Sequence, residues 1–238
     1  ESIVNVVKFG VVVFPGTWSE VDCYTVLDEV FNVSVEYVWH KETDLSTYDC
    51  IILPGGFSFG DYLRCGAIAR FSPVMESLIT FARSGGLVFG ICNGFQILCE
   101  AGLLPGVLVR NNHLEFRCQW TDLRVDNIST PFSARAEPGQ VISVPISHGE
   151  GNYFAPHETL TEIENNGQVI FRYSAPNGDM DVVNNPNGSI NNIAGVTNPE
   201  GNVLGMMPHP ERCCDSLLGG TDGKLIFGSV VDYLWNKT

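Results

Sequence analysis

The chain has 238 residues, of which 44% are hydrophobic and 17% are charged, a composition typical of a folded α/β domain and not of a disordered or fibrous protein. Its formal net charge of −14 argues against binding to nucleic acid, because contacts with phosphates need clusters of lysine and arginine. No apolar run reaches the length of about 18 residues that a membrane-spanning helix requires, so we expect no span.

The cysteine pattern indicates a reducing compartment. Eight cysteines are scattered through segments with strand and helix patterns, without the loop-rich framework of a disulfide-stabilised secreted protein. The segment Glu1–Lys8 lacks the basic start of a signal peptide and leads directly into an apolar strand. We therefore expect a cytoplasmic location. No Cys-x-x-Cys motif and no ligand spacing of the histidines are present, so no metal site is predicted.

Strands and helices alternate in the first half of the chain. Apolar or alternating runs predict strands and helical spacing predicts helices, in the order β-α-β-β-α-β. The predicted strands cover 9–14, 33–39, 49–53 and the run from Leu87, and the predicted helices cover 19–31 and 74–82. This pattern is typical of a flavodoxin-like, doubly wound and mostly parallel sheet, whose ligands bind where the loops after the strands meet.

The pattern changes after Leu108, where short strands are separated by glycine, proline and asparagine. They predict an additional small β region. Its strands are predicted over 116–125, 141–145, 168–173 and 193–196, followed by a strand over 203–207 and a final helix over 224–235. The segment 176–192 is predicted to form hairpin turns or a mobile loop. No repeat or linker divides the chain, so residues 1–238 are interpreted as one domain.

Cys92 carries the strongest functional signal, in the motif Gly90-Ile91-Cys92-Asn93-Gly94 directly after an apolar strand. A nucleophile between glycines at a strand-to-helix turn is typical of a nucleophile elbow, in which the small neighbours leave room for the sharp turn and for substrate. The helix that follows places Cys92 at a helix N-terminus, which favours the thiolate over the thiol. The alternative is a buried cysteine in a tight turn.

A base for this cysteine is predicted in Pro208-His209-Pro210-Glu211. Residues before proline favour extended geometry, and in an extended segment the side chains of residues two apart point to the same side. Glu211 can therefore accept a hydrogen bond from one ring nitrogen of His209 while the other nitrogen faces Cys92. This is the arrangement of nucleophile, base and orienting acid that activates a thiol.

A glycine pair supplies the third element. Gly55 and Gly56 follow the predicted strand that ends at Leu53. An N–H from Gly55 or Gly56, together with that of Asn93, is predicted to form an oxyanion hole. The alternative is an ordinary strand-to-helix turn, which is also rich in glycine.

Three motifs together resemble class I glutamine amidotransferases with a catalytic triad. They are Gly-Ile-Cys-Asn-Gly-Phe-Gln at 90–96, Pro-Gly-Gly-Phe-Ser-Phe-Gly-Asp-Tyr-Leu-Arg at 54–64 and Pro-His-Pro-Glu-Arg at 208–212. Residues 54–73, 147–153 and 221–224 are similar, more narrowly, to glutaminase subunits of phosphoribosylformylglycinamidine synthase, an enzyme of purine biosynthesis. The likeness runs from about Lys8 to Trp235. One departure is the first loop, where the family usually has Ser-Asn-Cys and this chain has Thr17-Trp18-Ser19.

The resemblance implies that Cys92, His209 and Glu211 form a catalytic triad that hydrolyses glutamine to glutamate and ammonia through a cysteinyl thioester. It also implies that Gln96, one helical turn after Cys92, binds the amino or carboxylate end of the substrate. Arg64 and Glu150 are expected to face a partner, with a solvated salt bridge as the alternative for Arg64 and a substrate contact as the alternative for Glu150. That partner is the synthetase subunit, which uses ammonia to convert formylglycinamide ribonucleotide to formylglycinamidine ribonucleotide, and the complex can include a small third subunit.

No cofactor is expected in this chain, because the resemblance assigns ATP and Mg to the synthetase subunit. Gly223-Lys224 does not belong to a phosphate-binding loop, since Leu218 stands where that motif needs glycine. We further expect glutaminase activity to be latent in the free chain and to rise when the partner docks, for example by a turn of the Gly55–Gly56 peptide.

Other functions remain as alternatives at this point. An amidotransferase subunit of another pathway, or a γ-glutamyl hydrolase, would use the same chemistry. A redox sensor built on a cysteine elbow, or a catalytically silent binding subunit, would not need His209 and Glu211 beside Cys92. Selective labelling of Cys92 by a glutamine-like electrophile separates the enzymes from the sensor and the silent subunit.

Overall fold

The structure is a computed structural model that describes residues 7–237. Residues 1–6, on which most of the interpretation of the N-terminus rests, lie outside the described residues. Within residues 7–237, no helix has both the length and the apolar character needed to cross a membrane.

Eleven strands and five α-helices are assigned within the described residues. The strands are β1 (Lys8–Val13), β2 (Ser34–Trp39), β3 (Cys50–Leu53), β4 (Leu87–Ile91), β5 (Val107–Val109), β6 (Arg117–Val125), β7 (Val141–His148), β8 (Asn152–Phe154), β9 (Val169–Ser174), β10 (Ile193–Thr197) and β11 (Val203–Met206). The helices are α1 (Glu20–Thr25), α2 (Pro73–Arg83), α3 (Asn93–Glu100), α4 (His157–Asn165) and α5 (Gly223–Trp235).

Nine of the strands form one sheet in the order β2-β1-β3-β4-β11-β10-β9-β6-β7. The five strands from β2 to β11 are parallel, and their order is that of a flavodoxin-like fold, as predicted. The other four strands pair antiparallel with their neighbours. The predicted additional β region therefore extends the same sheet instead of forming a separate unit. Strands β5 and β8 form a small sheet of their own.

The sequence prediction differs from the structure in several elements, among them the three-residue strand β5, which was not predicted. Helix α4 was not predicted, because the mostly polar segment His157–Asn165 buries only Ile163 and so has a weak apolar face. The predicted helix over 19–31 is α-helical only as far as Thr25 and continues as a π-helix over Val26–Val30. The short strand β8 was not predicted, since its three residues follow a glycine-rich turn.

Both faces of the parallel half of the sheet are covered. Strands β3 and β4 are buried along their whole length, as expected for parallel strands between two layers of helices. The carboxyl ends of β3, β4 and β11 lie side by side, because β4 pairs with both of the others. The loops that follow these three strands carry the predicted glycine pair, cysteine and histidine, so the fold brings the three motifs to one edge.

Candidate active site

Cys92 lies at a strained turn between β4 and α3. Its backbone has a φ of 52° and a ψ of −106°, a left-handed conformation that costs energy for any residue other than glycine. The neighbouring glycines are required by close packing. A Cβ on Gly94 would lie only 1.9 Å from the backbone oxygen of Leu53, and one on Gly90 would lie 2.8 Å from the backbone of Gly94. This is the geometry of the predicted elbow.

The thiol of Cys92 is nearly enclosed, with 5% of the residue exposed. Its Sγ lies 3.6 Å from the backbone oxygen of Ser147, near the end of β7. Cys92 is also the N-cap residue of α3, so the unpaired N–H groups of the first helical turn lie beside it. A negative charge on sulfur is stabilised by these N–H groups and by the helix dipole.

His209 and Glu211 are paired as the sequence predicts. The Nδ1 atom of His209 lies 2.6 Å from Oε1 of Glu211, and both residues are about 99% buried. The short helix Pro210–Arg212 begins directly after His209 and turns the carboxylate back towards the ring. The other ring nitrogen, Nε2, is buried and has no hydrogen bond of ordinary geometry within residues 7–237.

The space around Gly55 shows that the His209 ring lies close to Cys92. A Cβ built on Gly55 would be 2.6 Å from Cε1 of His209 and 3.4 Å from Cβ of Cys92. The ring and the nucleophile therefore meet across the same glycine, which leaves the space that the imidazole occupies.

The electrostatics of this group favour a charged histidine. Burial alone would lower the pKa of His209, but the negative charges of the Glu211 carboxylate and the Cys92 thiolate outweigh burial and raise it to about 10. The arrangement therefore favours a protonated His209 beside the elbow cysteine at neutral pH. A protonated imidazole next to a nucleophile is placed to act as a proton donor.

The glycine pair is held from one side by the loop after β1. The backbone oxygen of Gly55 accepts hydrogen bonds from the N–H groups of Trp18, at 3.0 Å, and Ser19, at 3.1 Å. Gly56 pairs with Thr17 in an antiparallel bridge whose hydrogen bonds are made by the flanking residues, so the N–H of Gly56 points away from that loop. Which of the two glycines donates to an oxyanion stays a prediction.

Asn93 is held in place on the same side. Its Oδ1 accepts a hydrogen bond from the N–H of Ser58 at 3.1 Å, and its Nδ2 donates to Oε1 of Gln96 at 2.9 Å. Gln96 in turn donates from Nε2 to the backbone oxygen of Glu150 at 2.8 Å. Gln96 thus joins the elbow helix to the loop after β7, and the contact of Gln96 with substrate stays a prediction.

A pocket of about 260 Å³ opens between the loops that follow β3 and β7. Its walls include Phe57, Asp61, Arg110 and Glu150. Arg110 lies 3.7 Å from the carboxylate of Glu150, and Oδ1 of Asp61 is buried without a hydrogen-bond partner within residues 7–237. Burial raises the pKa of Asp61. The pocket combines carboxylates with a guanidinium, a set that suits a ligand with both an ammonium and a carboxylate group.

The two residues predicted to face a partner lie in different surroundings. Arg64 is on the surface, and its guanidinium donates two hydrogen bonds to the carboxylate of Glu100, at 2.6 and 2.7 Å. Glu150 lines the pocket between the loops after β3 and β7. Residues that were not predicted as part of the site include Trp18, Ser19 and Ser147. Their contacts described above are made by backbone atoms, which leave no signal in residue type.

Comparisons with known proteins agree with this geometry. The CobB/CobQ-like glutamine amidotransferase domain matches residues 6–220. Phosphoribosylformylglycinamidine synthase subunit PurQ of Moorella thermoacetica is 60% identical over 97% of each chain, and the PurQ subunit of Salinibacter ruber is 56% identical over 95% of this chain and 97% of its own. A chain of the solved PurLQS structure from Thermotoga maritima is 43% identical, with a TM-score of 0.86 over 96% of this chain and 99% of that chain. The chain therefore belongs to the class I glutamine amidotransferases, in the family of phosphoribosylformylglycinamidine synthase subunit PurQ.

Proposed function

We propose that the chain is the glutaminase subunit of phosphoribosylformylglycinamidine synthase and releases ammonia from L-glutamine for a synthetase partner. The proposal is carried by one observation. A buried histidine, bonded to Glu211 at 2.6 Å, lies beside the elbow cysteine in a chain of the PurQ family. A redox sensor or a silent binding subunit has no use for an oriented imidazolium next to its thiolate.

The first half of the reaction forms a thioester. The thiolate of Cys92 attacks the side-chain amide carbon of glutamine, and the N–H groups of Gly56 and Asn93 bind the oxygen that becomes negative. When the carbon–nitrogen bond breaks, the His209 imidazolium gives its proton to the departing nitrogen, which leaves as ammonia. Glu211 keeps the ring oriented and compensates its charge while it is protonated.

The second half restores the enzyme. The neutral His209 takes a proton from water, and the resulting hydroxide attacks the thioester carbon held in the same oxyanion hole. The carbon–sulfur bond breaks, glutamate leaves, and the thiolate of Cys92 is again next to an imidazolium. Each side chain of the triad returns to its starting state after one turnover.

The amino acid end of glutamine is proposed to occupy the pocket between the loops after β3 and β7. Only three carbon–carbon bonds separate the reacting amide carbon of glutamine from its α-carbon, and Glu150 in the wall of this pocket is hydrogen-bonded to Gln96 of the elbow helix. Asp61 and Glu150 offer negative charge to the α-ammonium group, and Arg110 offers positive charge to the α-carboxylate. Gln96 would support this pocket by its bond to the backbone of Glu150.

The synthetase partner is proposed to use the ammonia, together with ATP and Mg, on formylglycinamide ribonucleotide. The relative from Thermotoga maritima is part of a PurLQS complex, which supports such an assembly. Of the two residues expected to face a partner, Arg64 is proposed to do so, and Glu150 is proposed to serve the substrate pocket instead. Arg64→Ala should then reduce the activation of glutaminase by the partner more than it changes the activity of the free chain. Equal activation of the variant and the wild type by the partner would contradict the assignment of Arg64 to the interface.

Labelling with a chloroketone analogue of glutamine tests the proposed function. We expect one adduct, located by mass spectrometry at Cys92, and protection by excess glutamine. The other seven cysteines should stay unlabelled, because they have no paired imidazolium. Cys92→Ala is the control and should show no adduct. Absence of labelling in the wild type, or equal labelling of several cysteines, would contradict the proposal and favour a sensor or a silent subunit.

A further inference from the structure

The loop in which this chain departs from its family contacts the glycine pair directly. The N–H groups of Trp18 and Ser19 converge on the backbone oxygen of Gly55 at 3.0 and 3.1 Å. Two donors on one carbonyl fix the plane of the peptide that joins Gly55 to Gly56. This peptide is trans, so its N–H points opposite to its carbonyl and away from the loop.

The loop is itself anchored to the segment that carries the triad acid. Ser19 is fully buried, and its Oγ accepts a hydrogen bond from Nη2 of Arg212 at 2.9 Å. Arg212 follows Glu211 in the chain, and its Nε lies 3.9 Å from Oε1 of that carboxylate. The same guanidinium is 4.0 Å from Oδ2 of Asp22, a half-exposed residue. Arg212 therefore connects the triad to the loop that holds Gly55.

We propose that Ser19 and Arg212 are positioning residues that fix the oxyanion hole relative to the triad. Arg212 holds Ser19, the N–H of Ser19 holds the carbonyl of Gly55, and the N–H of Gly56 is thereby aimed at the substrate oxygen. The inference rests on the proposed glutaminase function and adds to it a link between two parts of the site. Donors that are oriented before the reaction lower its barrier because they need no reorganisation when charge develops.

This arrangement changes the expectation for activation by a partner. A turn of the Gly55–Gly56 peptide is the way, expected from the sequence, in which docking would complete the oxyanion hole. In the structure the Gly56 N–H already points away from the loop, and turning the peptide would break the bonds from both Trp18 and Ser19. On this proposal docking is not needed to orient the donor.

Ser19→Ala in the complex with the synthetase subunit tests the proposal. The variant removes the acceptor of the Arg212 bond and keeps the backbone N–H of the residue. We expect kcat for glutamine hydrolysis to fall about 10- to 100-fold. This decrease is no larger than the one caused by removing an oxyanion donor outright, which is about 100- to 1000-fold. We expect KM to stay unchanged, because neither Ser19 nor Arg212 lines the pocket for the amino acid end.

Alkylation of Cys92 by iodoacetamide provides the readout that separates positioning of the hole from general damage. This displacement reaction develops no oxyanion, so its rate depends on the thiolate and the imidazolium alone. The rate should be the same in Ser19→Ala and in the wild type. Asp22→Asn is the matched control. It removes the charge of Asp22 next to the Arg212 guanidinium, leaves the Arg212–Ser19 bond in place and should keep kcat at the wild-type value.

Two results would overturn the proposal. One is an unchanged kcat in Ser19→Ala, and the other is slowing of the iodoacetamide reaction by the same factor as kcat. Arg212→Lys, which keeps a positive charge near Glu211, gives the same test if Ser19→Ala does not fold. Failure of the proposed glutaminase function is distinguishable, since it would appear as an inactive wild-type complex.

Discussion

Gly55→Ala tests the packing at the centre of the site. The added Cβ would lie 2.6 Å from Cε1 of His209, whereas carbon atoms in contact are about 3.5 to 4.0 Å apart. The ring has to move by about 1 Å to relieve this contact, and it is buried on all sides. The same Cβ would lie 3.4 Å from Cβ of Cys92, so the added methyl group would also be tight against the nucleophile.

The expected cost follows from this displacement. A misplacement of about 1 Å in a catalytic group costs about 100-fold in rate, which corresponds to about 2.7 kcal/mol of activation free energy. Overpacking a buried site also costs about 1 to 3 kcal/mol in the free energy of unfolding. We therefore expect kcat of Gly55→Ala to fall about 100-fold, and we expect slower alkylation of Cys92 by iodoacetamide, because the imidazolium no longer supports the thiolate.

Steady-state kinetics of the complex and thermal unfolding of the variant measure the two effects. Gly85→Ala is a suitable control, since a Cβ there meets nothing within 4 Å but the φ of +92° makes the backbone strained. It should lower Tm with little effect on kcat. If Gly55→Ala keeps the wild-type kcat, then the ring position inferred from Gly55 is wrong.

Three further predictions concern the triad, the pocket and acid stability. Glu211→Gln should lower kcat less than His209→Ala, because orienter loss is milder than loss of the base, and equal losses would contradict a purely orienting role. Asp61→Asn should raise KM for glutamine with little change in kcat, which initial rates at varied glutamine will check. Burial lowers the pKa of His148 to about 3, and charges on His209 and His113 add a smaller effect in the same direction. Between about pH 6.5 and 3, His148 is therefore protonated in the unfolded chain but neutral in the folded chain. The free energy of unfolding should then fall with pH over this range by up to about 1.4 kcal/mol per pH unit, and denaturant unfolding of His148→Gln should show a smaller pH dependence.

The elbow and the triad could be predicted from the sequence because residue type and spacing carry their geometry. Glycines on both sides of Cys92 are needed by close backbone contacts, and the spacing of His209 and Glu211 predicts their pairing. The extended segment predicted for that pairing is wrong, because the short helix Pro210–Arg212 begins directly after His209 and brings the carboxylate to the ring. The parallel order of the first strands follows in the same way from continuous apolar runs.

The orientation of the oxyanion donor could not be predicted, because it depends on backbone atoms of a distant loop. Trp18 and Ser19 act through their N–H groups, and nothing in their side chains indicates a contact with Gly55. The continuation of the sheet beyond β11 was also missed. Alternating short strands have the same pattern whether they extend one sheet or form another, and only the pairing of β10 with β11 decides between the two.

The central claim is that Cys92 serves the release of ammonia and no later step. The most direct test is synthesis of formylglycinamidine ribonucleotide by the complete complex carrying Cys92→Ala, with either glutamine or an ammonium salt as the nitrogen source. We expect synthesis from glutamine to be abolished and synthesis from the ammonium salt to match that of the wild-type complex. Synthesis from glutamine that persists in Cys92→Ala would contradict the assignment of the nucleophile, and loss with both nitrogen sources in an intact complex would contradict the division of labour between the two subunits.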